Sequence, residues 1–178
     1  LYADMSNRVM EILSGFSPHV EVYSIDESFL DLAGFGRQGF AEYGQEIRQR
    51  IADWLGLVVC VGIAPTKTLA KLANHCAKKK LASENGVCDF SALTHSELTT
   101  LFECIPINEV WGVGRQLTAQ LDAMGIHNVR QLRDADSRMI RERFSVVLER
   151  TIQELRGTSC MNIEEATPDR QQIISSRS

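Results

Sequence analysis

Two adjacent carboxylates, Asp26 and Glu27, interrupt the run Val22-Tyr23-Ser24-Ile25-Asp26-Glu27-Ser28-Phe29-Leu30-Asp31-Leu32, which is otherwise built largely from strand-forming residues. Hard divalent cations such as Mg²⁺ take oxygen ligands, and in phosphoryl-transfer sites one or two carboxylates plus substrate phosphates commonly complete the shell. The pair is therefore the first candidate for a metal-dependent site acting on phosphates. A structural role stands beside it, because acidic residues at a hairpin turn or an exposed strand edge are common. Strand alternation sends neighbouring residues to opposite faces. Both carboxylates reach one metal only if the backbone turns or bulges there, which Ser28 permits without demanding.

A second group is cationic. The nearly all-apolar run 57–64 reads as a strand buried on both faces, then Pro65-Thr66 opens a helix with Lys67 in its first turn. Helix N-termini offer free N–H groups and a positive dipole end, so strand, short turn and lysine-bearing helix make a phosphate site conceivable without a glycine-rich loop. At 100° per residue Lys67, Lys71 and Lys78 fall within about 40° of one another, opposite Leu69, Leu72, Ala73 and Cys76. Such a face is ordinarily just solvated. Between Trp54 and Ser83, however, there are five lysines and no acid, which tilts the reading toward an anion.

The third group is Val110-Trp111-Gly112-Val113-Gly114-Arg115, followed by Leu117, Leu121, Met124, Gly125 and Ile126. It reads as a helix end, a Gly-x-Gly hairpin and a second helix, the pattern of a helix-hairpin-helix. Glycines let a backbone approach closely, and the amides at the start of the second helix can hold a DNA phosphate. A plain glycine-rich helical turn is the simpler alternative.

The elements that position these groups follow from periodicity. A helix is predicted over 1–16, a hairpin over 20–32, a helix over 40–55, the buried strand over 57–64 and the lysine helix after it. A short strand at 86–90 precedes a helix over 91–103 with Ser91 as N-cap. From Ile105 the apolar residues turn helical in period, with helices at 136–143 and 146–156 closed by Gly157. Thr158 onward reads as a polar linker until residues 171–178 turn strand-like. Strands first and helices after give an α+β fold with a boundary inside 88–107.

The 178 residues suffice for one or two domains with a sizeable core, and 44% hydrophobic with 24% charged residues is a globular composition. No apolar run approaches the roughly 18 residues a membrane span needs. Five cysteines without a CxxC pair argue against a zinc site and for a reducing compartment. The net charge of −4 disfavours nucleic acid on its face, but the lysine stretch is a local basic patch, followed over 84–124 by six acids against Arg115 alone. The start, Leu1-Tyr2-Ala3-Asp4, has neither an initiator methionine nor a signal peptide, so a piece of a longer chain is expected.

Ser24-Ile25-Asp26-Glu27 with Ser28-Phe29-Leu30-Asp31 resembles the signature of Y-family DNA polymerases, the translesion enzymes. Val61-Gly62-Ile63-Ala64-Pro65-Thr66-Lys67-Thr68-Leu69-Ala70-Lys71 resembles their second palm motif, and the hairpin from Trp111 to Ile126 their thumb. The opening Leu1-Tyr2-Ala3-Asp4-Met5-Ser6, Ala73-Asn74-His75-Cys76-Ala77-Lys78-Lys79, Val147-Leu148-Glu149-Arg150-Thr151 and Ile173-Ile174-Ser175-Ser176-Arg177-Ser178 are similar to the UmuC-like branch, the catalytic subunits of bacterial DNA polymerase V and plasmid-borne relatives.

The resemblance implies a partial palm over 1–104, in which helices pack on an antiparallel or mixed sheet. It implies a small all-α thumb with the helix-hairpin-helix over 105–157, then a linker and the start of a little finger over 158–178. It implies Asp26 and Glu27 as catalytic metal ligands in a two-metal Mg²⁺ site and Lys67 as a contact to the incoming deoxynucleotide. Gly112, Gly114, Arg115 and Lys71 would bind DNA. Implied partners are primer-template DNA, a dNTP, a processed UmuD dimer, RecA and the sliding clamp, in the bacterial cytoplasm during the SOS response, with no membrane. A family member carries a further metal-ligand Asp on a palm strand ahead of the residue matching Leu1, so this sheet is expected to lack a strand and expose an edge, and the chain alone to be inactive. A non-catalytic module binding DNA backbone is the alternative. Another palm-fold enzyme, such as a nucleotide cyclase, fits the hairpin and the Ser-Ile-Asp-Glu context less well.

Overall fold

The computed structural model describes residues 1–35, 39–160 and 172–177. Helix α1 (Tyr2–Ser14) leads into the hairpin of β1 (Val20–Val22) and β2 (Glu27–Asp31), and α2 (Phe40–Leu55) follows. Strand β3 (Val59–Ala64), helix α3 (Lys67–Lys79) and β4 (Val87–Asp89) form a parallel crossover, the connection a parallel pair requires. All six β3 residues are buried, as the unbroken apolar run predicts. After a 3₁₀ turn at Phe90–Ala92 the chain is helical among the described residues up to Cys160: α4 (His95–Glu103), α5 (Arg115–Ala123), α6 (Val129–Arg133), α7 (Ser137–Arg143) and α8 (Val146–Leu155).

The sheet order is β1-β2-β5-β3-β4, with β5 (Gln172–Arg177) antiparallel to β2 on one side and to β3 on the other. The sheet therefore has no open edge beside β2, contrary to the expected exposed edge: the strand-like stretch near the chain end pairs at its centre. The remainder of the expected linker, residues 161–171, lies outside the described residues. The true edges, β1 and β4, are three residues long, and short edge strands limit unwanted pairing.

Alternation divides the core. Leu30, Val59, Val61, Ile63 and Val87 face α1 and α2, where Leu13, Ile47 and Ile51 are fully buried. Phe29, Cys60, Ala64 and Cys88 face α3, and beyond it the helical part supplies Phe102, Ile105, Leu121, Leu132 and Ile152. Helix α3 thus lies between sheet and helices. Its seat is tight: a Cβ on Gly62 would stand 2.2 Å from the Asn74 nitrogen and 2.4 Å from the Ala70 oxygen, so only glycine fits.

Two helix starts differ from expectation. Asp89 caps the 3₁₀ turn and Thr94, not Ser91, caps α4 by accepting from the Glu97 N–H; Thr94-x-x-Glu97 matches the spacing of a capping box. Helix α6 was not predicted, being only five residues long, yet its start carries a full capping box between Asn128 and Gln131.

Candidate functional site

The β1–β2 turn is closed by backbone bonds from the Tyr23 and Ser24 N–H groups to the Glu27 carbonyl at 3.0 and 3.1 Å. The Ser24 hydroxyl donates to Asp26 Oδ1 at 2.8 Å. This geometry sends the two candidate carboxylates apart. Asp26 is exposed and lines a small cleft with Met5, Ser6, Val9 and Ser28 on the α1 side. Glu27 faces α3, where its Oε2 lies 2.6 Å from Lys71 Nζ.

A second ion pair lies beside the first. Lys67 Nζ is 2.6 Å from Glu21 Oε2, with the lysine side chain only 5% exposed and the glutamate 38%. Glu21 registers opposite Phe29, so Glu21, Glu27 and Phe29 look toward the same helix. Aromatic rings close the cluster: Lys67 Nζ is 5.1 Å from the Phe29 ring centre, and Lys71 Nζ is 4.3 Å from that of Tyr23 and 5.2 Å from that of Trp111. Such cation–ring contacts strengthen as water is excluded. Trp111 meets Tyr23 edge-on and its indole N–H donates to the Tyr23 hydroxyl at 3.0 Å.

The lysine face predicted for α3 is therefore not a solvated one at its start. Lys67 and Lys71 are matched by acids from the hairpin, and the mixing of signs missing from the helix itself is supplied across the fold. Glu21 and Tyr23 went unremarked in the sequence although alternation along Val20-Glu21-Val22-Tyr23 puts them on one side of the strand.

The Gly-x-Gly segment begins one residue after Trp111. Gly112 has φ +87° and is exposed, Val113 is buried, and Gly114 is the N-cap of α5 without any side-chain cap. The positive φ explains glycine at 112; Gly114, at φ −84°, is in ordinary extended backbone. Arg115, first residue of α5, is exposed. The element ahead of the hairpin is a 3₁₀ turn, Ile107–Glu109, introduced by Pro106, rather than a full helix. Trp111 thus brings the uncapped start of α5 next to Tyr23, Phe29 and Lys71, while Asp26 stays on the far face of the turn.

Among the described residues no group of three or more His, Cys, Asp or Glu side chains is placed to hold a metal ion. Asp26 and Glu27 leave the turn by opposite faces and Glu27 is engaged by Lys71, so this donor set does not fit a Mg²⁺ shell as it stands. No described helix is long and apolar enough to cross a membrane.

Residues 1–75 match the impB/mucB/samB family model. The chain is 48% identical to the protein UmuC of Salmonella typhimurium over its whole length, which is 42% of that protein. It is 30% identical to DNA polymerase IV of Moorella thermoacetica over 83% of this chain and 35% of the polymerase. The structure superposes on a post-insertion binary complex of Dbh DNA polymerase with a TM-score of 0.69 at 26% identity, covering 92% of this chain and 47% of that one. The chain spans less than half the length of these relatives. By the family model over residues 1–75 and by likeness to UmuC along its whole length, it belongs with the UmuC-like proteins of the impB/mucB/samB family.

Proposed function

We propose that this chain is the palm and thumb portion of an error-prone, Y-family translesion DNA polymerase that transfers nucleotides from a dNTP to a primer past damaged template. The observation that carries the reading is the likeness to UmuC along the entire chain; the junction of hairpin, α3 and α5 supports it by setting acids, lysines and an exposed helix start side by side. In this reading the Gly112–Arg115 rim, as the hairpin of a helix-hairpin-helix, holds DNA backbone, with amides and Arg115 meeting phosphates rather than bases. Lys67 and Lys71 belong to the nucleotide and DNA side of the junction and must exchange Glu21 and Glu27 for phosphate to serve there. Mg²⁺ as the ion, with Asp26 and Glu27 among its ligands, requires the turn at 23–26 to rearrange. An SOS role in the bacterial cytoplasm, with a processed UmuD dimer, RecA and the sliding clamp as partners, completes the proposal.

The engagement of Glu27 by Lys71 favours a second reading, a non-catalytic module binding DNA backbone through the α5 rim. Titrating a deoxynucleotide against the chain with and without Mg²⁺, for the parent, Asp26→Ala and Glu27→Ala, separates the two. Metal-dependent nucleotide binding that either substitution abolishes supports the polymerase reading; DNA binding with no effect of metal or of either substitution supports the module. Primer extension by the isolated chain is expected to fail, and robust Mg²⁺-dependent extension would overturn that expectation.

A further inference from the structure

Glu154, at the end of α8, has no exposed surface. Glutamate is almost never fully buried unless its charge is satisfied. Its Oε1 accepts from the Thr68 backbone N–H at 3.1 Å and from the Thr68 hydroxyl at 3.0 Å. Its Oε2 accepts from the Cys160 N–H at 2.6 Å. The Thr66 hydroxyl donates to the Glu154 carbonyl oxygen at 2.9 Å.

These bonds complete the start of α3. The first turn of a helix leaves N–H groups without intrahelical partners. Thr66, the N-cap, serves the Leu69 N–H from within the helix, and Glu154 serves the Thr68 N–H from 86 residues away. The carboxylate also faces the positive end of the helix dipole. A cap normally supplied by a neighbour in sequence is here supplied by the helical part of the molecule.

The same turn of α3 carries Lys67, and the next carries Lys71, so the start of the helix is bound to α8 behind and to the acidic hairpin in front. The helical part touches that hairpin again through Trp111. We infer that Glu154 is a positioning residue: it pins α8 to the start of α3 and so holds Trp111 and the Gly112–Arg115 rim against the β1–β2 hairpin. The inference rests on the proposed function in one respect, that rim and hairpin serve one ligand.

Trp111 is the reporter. The chain has two tryptophans, and Trp54 is exposed, so a Trp54→Phe background leaves Trp111 emission alone. In that background Glu154→Gln keeps an acceptor for Thr68 but sets an NH₂ against the Cys160 N–H, and Thr68→Val removes the hydroxyl donor. Both are expected to shift Trp111 emission to the red and to raise its quenching by iodide, while far-UV circular dichroism keeps the folded signature. Glu154→Ala is expected to do so more strongly, and Glu142→Gln on the exposed face of α7 not at all. Folded Glu154→Gln and Thr68→Val variants whose Trp111 emission and quenching match the background protein overturn the inference. No metal, nucleotide or DNA enters the measurement, so the pin and the polymerase reading stand or fall separately.

Discussion

At the start of α3, Lys67 and Lys71 turn toward the β1–β2 hairpin, each with its ammonium 2.6 Å from a carboxylate and over an aromatic ring. At its end Lys78, Lys79 and Lys80 are exposed. One residue type on one helix thus behaves in two ways, because the first turns lie between sheet and helices while the last projects past both. The difference teaches that a run of lysines without acids in sequence is not yet a basic surface. Two of the five charges are neutralised within the fold, and only the other three are placed to act on a distant anion, within a Debye length of about 8 Å at physiological salt.

The comparison breaks most severely where α3 loses its seat. Gly62→Ala drives a methyl into the α3 backbone and is expected to cost about 3 kcal/mol or more, beyond the usual 1–3 kcal/mol of overpacking because backbone cannot swing away; the urea midpoint reads it. Lys67→Ala comes next. Removing one partner of a fully buried pair costs about 3–5 kcal/mol. Glu21 is partly exposed and can rehydrate, so a loss of roughly 1–2 kcal/mol in the same titration is expected after that discount.

The triple substitution Lys78→Gln, Lys79→Gln, Lys80→Gln sharpens the contrast. Stability should stay within about 0.5 kcal/mol, whereas DNA affinity should fall and the slope of log K against log salt should flatten by up to about 3. Lys67→Gln with Lys71→Gln should show the reverse, lost stability with little change of slope, as long as the two lysines stay with Glu21 and Glu27; a flattened slope there means that DNA draws them off their carboxylates, as the polymerase reading requires. Equal slopes in the two variants would erase the distinction between the ends of the helix.

The smallest effect tests a charge pair on the helical part. Asp134 titrates below the ordinary Asp value because the Arg133 guanidinium hydrogen-bonds it; burial opposes this, and the charges of Arg133, Arg130 and Arg156 add to the lowering. Its stabilising contribution is present above the unfolded pKa of about 3.8 and is lost as pH falls through the lowered folded value. Asp134→Asn should therefore lower stability at neutrality, by less than about 1 kcal/mol because Asp134 is half exposed, and the deficit should close as pH falls below about 4, which flattens the acid side of the profile.

Much of the fold was legible because its periodicities are local. The all-apolar run predicted a strand buried on both faces, the Pro65-Thr66 stop placed the start of α3, and alternation around Asp26-Glu27 gave the hairpin. Helix α6 and the start of α4 were written in the capping patterns Asn128-x-x-Gln131 and Thr94-x-x-Glu97, which short length and a nearer serine obscured. Alternation also contained the separation of Asp26 from Glu27, since a turn that continues the strand register cannot aim both carboxylates at one point.

Sequence by itself determined most of the strands and helices, the glycine-bearing hairpin at 112–114, and kinship with UmuC-like proteins, all properties of near neighbours or of the order of residues. Tertiary structure alone decided that Gln172–Arg177 sits between β2 and β3, that Glu21 and Glu27 neutralise two lysines, that Trp111 reaches Tyr23, and that Glu154 caps a helix 86 residues away. Each is a contact between distant segments, set by burial and by the need to satisfy every hydrogen-bonding group inside it. No local pattern encodes which partner arrives.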